Sequence, residues 1–306
     1  MIQAYVKRAL LIATLLLAGL ALSFLALADG KEAAARLAPV DAQPAQDSAS
    51  PEACPTNWQL AYPPQPRTHH YLHDVDALAP DDVWAVGEYY DEFNYTPDTA
   101  LITHWDGAQW TIVPTPPSPF QARLTLYGVS AVSPTDIWAV GEQVPSSEGG
   151  SETGDVPFAY QPLSMHWDGI QWTIVPVPQE PGGLLLNDVV ALASNDVWAV
   201  GANDGFHATR AFHWDGSAWS LVPTPNGGQF SDDNVLTSVA AVSPNDIWAV
   251  GYIYPKGGTP RTLAIHWNGS QWSLVTTPNP GNYVRRLEGV TAVAANDVWA
   301  VGQYSY

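Results

Sequence analysis

Four histidines recur at equivalent points of this 306-residue chain, in "HWDGAQW" at 104, "HWDGIQW" at 166, "HWDGSAW" at 213 and "HWNGSQW" at 266. Imidazoles set around an axis are the raw material of a metal site. A second recurring group could do acid chemistry: Asp82, Asp136, Asp196, Asp246 and Asp297 each stand two residues before a Trp. Spacing argues against a shared ion. Each His ends the third strand of a repeat, two strand spacings of about 4.8 Å beyond the innermost strand. Side chains held that far apart cannot converge on a metal that needs bonds of about 2.0–2.1 Å. His104, His166, His213 and His266 are therefore read as packing or hydrogen-bonding residues and the five Asp as turn caps, and no metal or cofactor is expected.

Other catalytic words are missing. Cys54 is the only cysteine, so no internal disulfide can form. No G-x-S-x-G or H-E-x-x-H occurs, and "SDDN" at 231 lacks the alternating oxygen ligands of a calcium loop. The chain is expected not to be an enzyme. Against 30 Asp and Glu stand only 11 Lys and Arg, a formal charge of −19, which repels phosphate backbones and makes nucleic acid an unsuitable partner.

The elements that position these residues are repeats. Trp84, Trp138, Trp198, Trp248 and Trp299 lie in five copies of "D(V/I)WAVG", spaced 54, 60, 50 and 51 residues apart. Every Trp except Trp58 belongs to this word or to the His-Trp word. Repeats of this length, each with several short strands, indicate propeller blades. The first strand carries Leu-x-x-Val-x-Ala, as in Leu236, Val239 and Ala241, and a turn such as "SPND" at 243 follows. In the second strand Trp248 and Val250 face one side, Ile247 and Ala249 the other. The third strand, "TLAIHW", ends at Asn268-Gly269, which signals a two-residue hairpin. The fourth, "QWSLV", stops at a Pro-rich segment that blunts an outer edge. The word recurs because each blade must offer the same face to the next.

The order hydrophobic strand, turn, strand ending in Gly, then an aromatic-Asp-turn-Trp hairpin resembles the Kelch and galactose-oxidase-like β-propellers over about residues 57 to 306. One departure is a single Gly (Gly87, Gly141, Gly201, Gly251, Gly302) where that family has two. The resemblance implies an all-β propeller of four-stranded blades: four complete blades plus one shared or incomplete blade, about five in total. A copper radical site of the galactose-oxidase kind would need a Cys within the propeller, and Cys54 lies before it.

Recognition is the expected function. From Gly to His the second-to-third connections contain 16, 24, 11 and 14 residues, whereas the other strand connections within a blade are short and uniform. Long loops on a rigid scaffold are where binding concentrates. The candidate face comprises Tyr89, Tyr90, Phe93, Tyr95, Phe158, Tyr160, Phe206, Arg210, Tyr252, Tyr254 and Arg261 from these connections. Phe120, Arg123, Phe230, Tyr283, Arg285 and Arg286 join it from the fourth-to-first connections, together with Arg67. Exposed Tyr with scattered Arg suits a protein or a cell-surface glycan. The alternatives are a structural envelope protein with no dissociable ligand and, ranked lower, a glycan-active enzyme.

Residues 1–28 read as a signal peptide or N-terminal membrane anchor: Lys7 and Arg8, an apolar run from Ala9, then Ala26-Leu27-Ala28. Either reading puts the rest outside the cytoplasmic membrane, secreted or at the cell surface. Residues 29–56 read as a flexible Ala/Pro/Ser-rich linker. The segment from Asn57 matches the end of a repeat, and its Trp58 strand is expected to join the blade of Trp299. Because that blade lacks a third strand, the ring is expected to close imperfectly or to be part of a larger propeller.

Overall fold

The computed structural model describes residue 63 and residues 69–90, 99–118, 122–145, 160–203, 207–229 and 231–305. The export segment, the linker and the Trp58 strand lie outside the described residues. All ordered secondary structure among the described residues is β, and no helix there is long and apolar enough to cross a membrane.

Four antiparallel four-stranded sheets follow one another. The first is β1 (His69–Ala79), β2 (Asp82–Tyr90), β3 (Thr99–Trp105) and β4 (Trp110–Ile112). The second is β5 (Arg123–Ser133), β6 (Asp136–Val144), β7 (Gln161–Trp167) and β8 (Trp172–Ile174). The third is β9 (Leu184–Ala193), β10 (Asp196–Asn203), β11 (Ala208–Trp214) and β12 (Trp219–Val222). The fourth is β13 (Asp233–Ser243), β14 (Asp246–Tyr254), β15 (Arg261–Trp267) and β16 (Trp272–Val275). A two-stranded sheet, β17 (Arg285–Ala294) and β18 (Asp297–Tyr304), comes last. First strands of consecutive sheets pack side by side. The chain is an all-β propeller of about five blades.

Alternation along the second strands builds the core between blades. Trp198 and Val200 of the third blade pack on Ile247, Ala249, Leu263, Ile265 and Trp272 of the fourth. The same arrangement joins Trp84 and Val86 to Ile137, Ala139, Leu163 and Met165.

The Gly that ends "WAVG" is demanded by close backbone approach. A Cβ on Gly141 would stand 1.9 Å from the carbonyl oxygen of Thr125, and each of its four counterparts meets the same obstacle. Beside that Gly every first strand carries one extra residue. Leu126 pairs with Gly141 and Gly128 with Val140, which leaves Tyr127 unpaired. His73, Asn187, Thr237 and Glu288 are extra in the same way. Such bulges re-aim a side chain.

The outer hairpin is wider than the Asn-Gly signal implies. Its turn takes four residues, closed by the Trp105–Trp110 pair, because the Asp106 side chain accepts the N–H groups of Ala108 at 2.9 Å and Gln109 at 2.8 Å. Gly107, at φ 91°, provides the left-handed step.

Candidate binding cleft

The first strands start, and the second strands finish, at the end of the propeller that bears the long connections. There a cleft of about 630 Å³ opens against the first strands of blades two to five. Four of the five bulge residues line it: Tyr127, Asn187, Thr237 and Glu288. The fifth, His73, lies against Tyr127 with ring centroids 5.3 Å apart. Each blade therefore contributes one chemically different side chain from one structural position.

Hydrogen bonds hold this ring in place. Asn187 Nδ2 donates to the carbonyl of Leu236 at 2.7 Å, and Thr237 Oγ1 donates to that of Leu287 at 2.9 Å, one blade further on in each case. Glu288 Oε1 accepts from Gln303 Nε2 at 3.2 Å. Burial, together with the charge of the Glu142 carboxylate, holds the Tyr127 phenol above its ordinary range. Glu142 is itself raised by burial, although Arg123 beside it at 3.1 Å and the phenol work in the opposite direction. Glu88, the equivalent residue one blade earlier, is lowered chiefly by His73, whose Nε2 lies 3.7 Å from its Oε1.

The rim comes from the ends of the second strands and the loops. Tyr252 and Tyr254 enter the cleft from β14, and the Arg286 guanidinium lies over the Tyr252 ring at 4.4 Å. Burial raises the Tyr252 phenol. His207 contacts Asp233 and sits at φ 52°, in the left-handed region, with its carbonyl accepting both the backbone N–H and Nδ2 of Asn234 at 3.1 Å. Two carboxylates, one guanidinium, one imidazole, three phenols and several amides face a single cavity. That mixture donates to and accepts from hydroxyl and amide groups and offers aromatic faces.

Of the residues picked from sequence, Tyr252, Tyr254 and Arg286 meet in this cleft. Arg123 pairs with Glu142, Arg210 contacts Glu180, and Arg285 donates to Thr259 Oγ1 at 3.3 Å. Tyr89 is half-buried at the end of β2, Arg261 is exposed, and Tyr160 and Tyr283 are exposed beside the connections. Only the backbone of Tyr90 is described. Phe93, Tyr95, Phe120, Phe158, Phe206, Phe230 and Arg67 lie outside the described residues. Sequence reading missed the bulge ring. Its signal was the position after each Leu of the first strand, which varies as His, Tyr, Asn, Thr and Glu opposite an unvarying Gly.

The repeated His and Asp form a separate structure at the opposite end. His104, His166 and His213 each bond through Nε2 to Asp82, Asp136 and Asp196 at 2.9 Å, and His266 to Asp246 at 2.8 Å. The same carboxylate oxygen accepts the indole N–H of Trp84 at 2.9 Å, and of Trp198 and Trp248 at 3.0 Å. The Asp carboxylates thus join side chains across two strands and do not cap the turns as expected. No group of three or more His, Cys, Asp or Glu among the described residues is placed to hold a metal.

No protein-family model matches the chain, and no curated protein sequence matches it. Among solved structures it is similar to YCF48 bound to D1 peptide, at 16% identity over 76% of this chain and 60% of that chain, TM-score 0.44. It is similar to a polysaccharide lyase, the PL25 ulvan lyase, at 10% identity over 72% of this chain and 57% of that one, TM-score 0.47. It is also similar to the fucose-specific lectin of Aleuria aurantia, at 13% identity over 72% of this chain and 67% of the lectin, TM-score 0.42. The chain covers only 60% of the YCF48 structure and 57% of the lyase. At such identities the likeness concerns the fold alone.

The expectation that the chain is not an enzyme is corrected at this point. A polysaccharide lyase and a sialidase from Trypanosoma rangeli have a similar fold. The lack of a short catalytic word therefore cannot separate a binding propeller from a glycan-active one, because residues far apart in sequence can meet in such a fold. The likeness assigns neither class to this chain.

Proposed function

We propose that the chain is an exported, Kelch-like β-propeller recognition module that holds a carbohydrate in the cleft at its long-loop end. The observation that carries this reading is the convergence of Tyr127, Asn187, Thr237 and Glu288 with Tyr252, Tyr254 and Arg286 on one cavity. Sugar hydroxyls need paired donors and acceptors at fixed positions, and sugar rings pack on aromatic faces. A hydrogen-bonded bulge ring provides such fixed groups without relying on loop order. Export, by a cleaved signal or with the N-terminal segment kept as an anchor, fits an extracellular or cell-surface ligand.

A protein segment is the second reading. It is favoured by Tyr254 and Tyr283, which remain 42% and 59% exposed and so offer contact area beyond the cleft. A glycan array followed by calorimetry on the hits tests the first reading. Binding should weaken tenfold or more in Tyr252→Ala and Glu288→Gln, with the melting temperature of Glu288→Gln unchanged. An array without hits, or hits that neither substitution weakens, would overturn it.

A further inference from the structure

Neighbouring blades meet beside the cleft through a repeated pair of positions. One is the residue directly after the Gly of the second strand: Glu88, Glu142, Ala202, Tyr252 and Gln303. The other lies two residues before the bulge of the next blade, as Thr125 and Arg286 do. Between blades one and two a neutral donor meets a carboxylate there: Thr125 Oγ1 donates to Glu88 Oε2 at 2.8 Å. Between blades four and five Arg286 reaches back over Tyr252, its guanidinium carbon 4.4 Å from the ring centroid. A cation thus stands where the facing position holds no carboxylate.

Other arginines near this end have polar partners or face solvent. Arg123 meets Glu142 at 3.1 Å, Arg210 contacts Glu180, Arg285 donates to Thr259 Oγ1 at 3.3 Å, and Arg261 is exposed. Arg286 makes no hydrogen bond or ion pair among the described residues, and its Nε is buried without an acceptor. The Tyr252 face steadies the charge but takes none of the in-plane N–H groups. The acidic groups of the cleft are engaged elsewhere: Glu288 accepts from Gln303 Nε2 at 3.2 Å, and Asp233 contacts His207. A partly buried guanidinium in this state lacks the acceptors that removal from water demands.

We infer that Arg286 receives a carboxylate of the bound sugar, so that the ligand of the cleft is a glycan bearing a uronic acid. This rests on the reading of the cleft as a carbohydrate site. A guanidinium presents parallel N–H donors that match the two oxygens of one carboxylate. Tyr252 holds that fork at the wall of the cavity that Asn187, Thr237 and Glu288 also line. Glu288 and Asp233 repel a second anionic group. The sugar is thereby oriented with its carboxylate at the junction of blades four and five and its hydroxyl groups toward Asn187 and Thr237. With a formal charge of −19 the chain as a whole repels anions, so retention of an acidic sugar depends on a specific cation.

The probe is an array on which uronic-acid oligosaccharides stand beside their carboxyl-reduced counterparts and beside sulfated neutral ones, read with the full-length chain and followed by calorimetry on the hits. Uronic-acid members should bind about tenfold or more tighter than their reduced counterparts. Arg286→Gln should erase that preference. Carboxyl reduction alters the ligand alone, so its effect cannot come from misfolding of the protein. Equal binding of acidic and reduced members overturns the inference and leaves the carbohydrate reading standing. A preference that survives Arg286→Gln, or hits confined to sulfate esters, overturns it as well. An array without hits overturns the carbohydrate reading and this inference together.

Discussion

The backbone N–H of Val239 donates to Asp188 Oδ2, one blade back, at 2.8 Å. Equivalent bonds run from Val129 to Asp74 at 2.8 Å and from Val290 to Ser238 at 3.2 Å, and two residues further along the strands Ala131 donates to Asp76 at 2.8 Å and Ala191 to Ser130 at 3.0 Å. Inner strands of neighbouring blades do not pair as a ladder, so these side chains connect them. Asp188 extends beside Gly128, where a Cβ would stand 3.0 Å from its Oδ1.

Stability should fall as pH rises from 4 to 8. Burial is the main cause that pushes Asp188 up to about 7 and Asp74 up to about 6, and the charge of Asp74 raises Asp188 further. Both folded values exceed the ordinary carboxylate range near 4, so the folded state holds the protons more tightly. The favourable contribution is complete below about pH 4 and is lost as pH passes through about 6 to 7. The loss should show as a melting temperature several degrees lower at pH 8 than at pH 4. Melting curves of Asp188→Asn should be flatter across this range than those of the wild type.

Gly141→Ala should destabilise although it adds only a methyl group. The new carbon would fall 1.9 Å from the Thr125 carbonyl oxygen, and two paired strands would have to part or the bulge to collapse. Overpacking of this kind costs about 1–3 kcal/mol, sometimes more. Chemical denaturation measures it, and the cost should recur at Gly201.

Trp84→Ala and Trp248→Ala should differ despite their identical place in the repeat. Trp84 is 3% exposed and enclosed by His104, Trp167 and Trp172, so its loss should cost about 3–5 kcal/mol. Trp248 is half-buried against His266, and its loss should cost roughly half as much. Equal costs in urea denaturation would contradict the extra enclosure of Trp84 by Trp167 and Trp172.

Asp196→Ala should cost more than its partial exposure suggests. It strips a shared acceptor from the Trp198 indole and the His213 ring, and stranded donors cost about 1–3 kcal/mol. His213→Ala should cost less than Asp196→Ala, because it leaves the Trp198–Asp196 bond in place. Denaturant midpoints of the two variants give the ranking.

The sequence by itself determined the blades. The period of the Trp words, the alternation in "DIWAVG" and the Pro and Asn-Gly stops are local signals, and local signals set strand, turn and face. It also pointed to the long-loop end, because connection lengths can be counted. Tertiary structure alone decided what gathers there. A bulge is invisible to a period-two pattern, so the residue after each Leu read as one more strand position until the neighbouring Gly admitted a carbonyl in place of a Cβ. The role of Asp82 and its counterparts was hidden for a related reason: the turn next to each is close in sequence, whereas the His it binds is on another strand, 22 residues away in the case of His104. The equivalence of the five Trp was broken by something no repeat can encode. Burial of one blade's Trp depends on the outer hairpin of the next, so identical words have different environments at Trp84, Trp248 and Trp299.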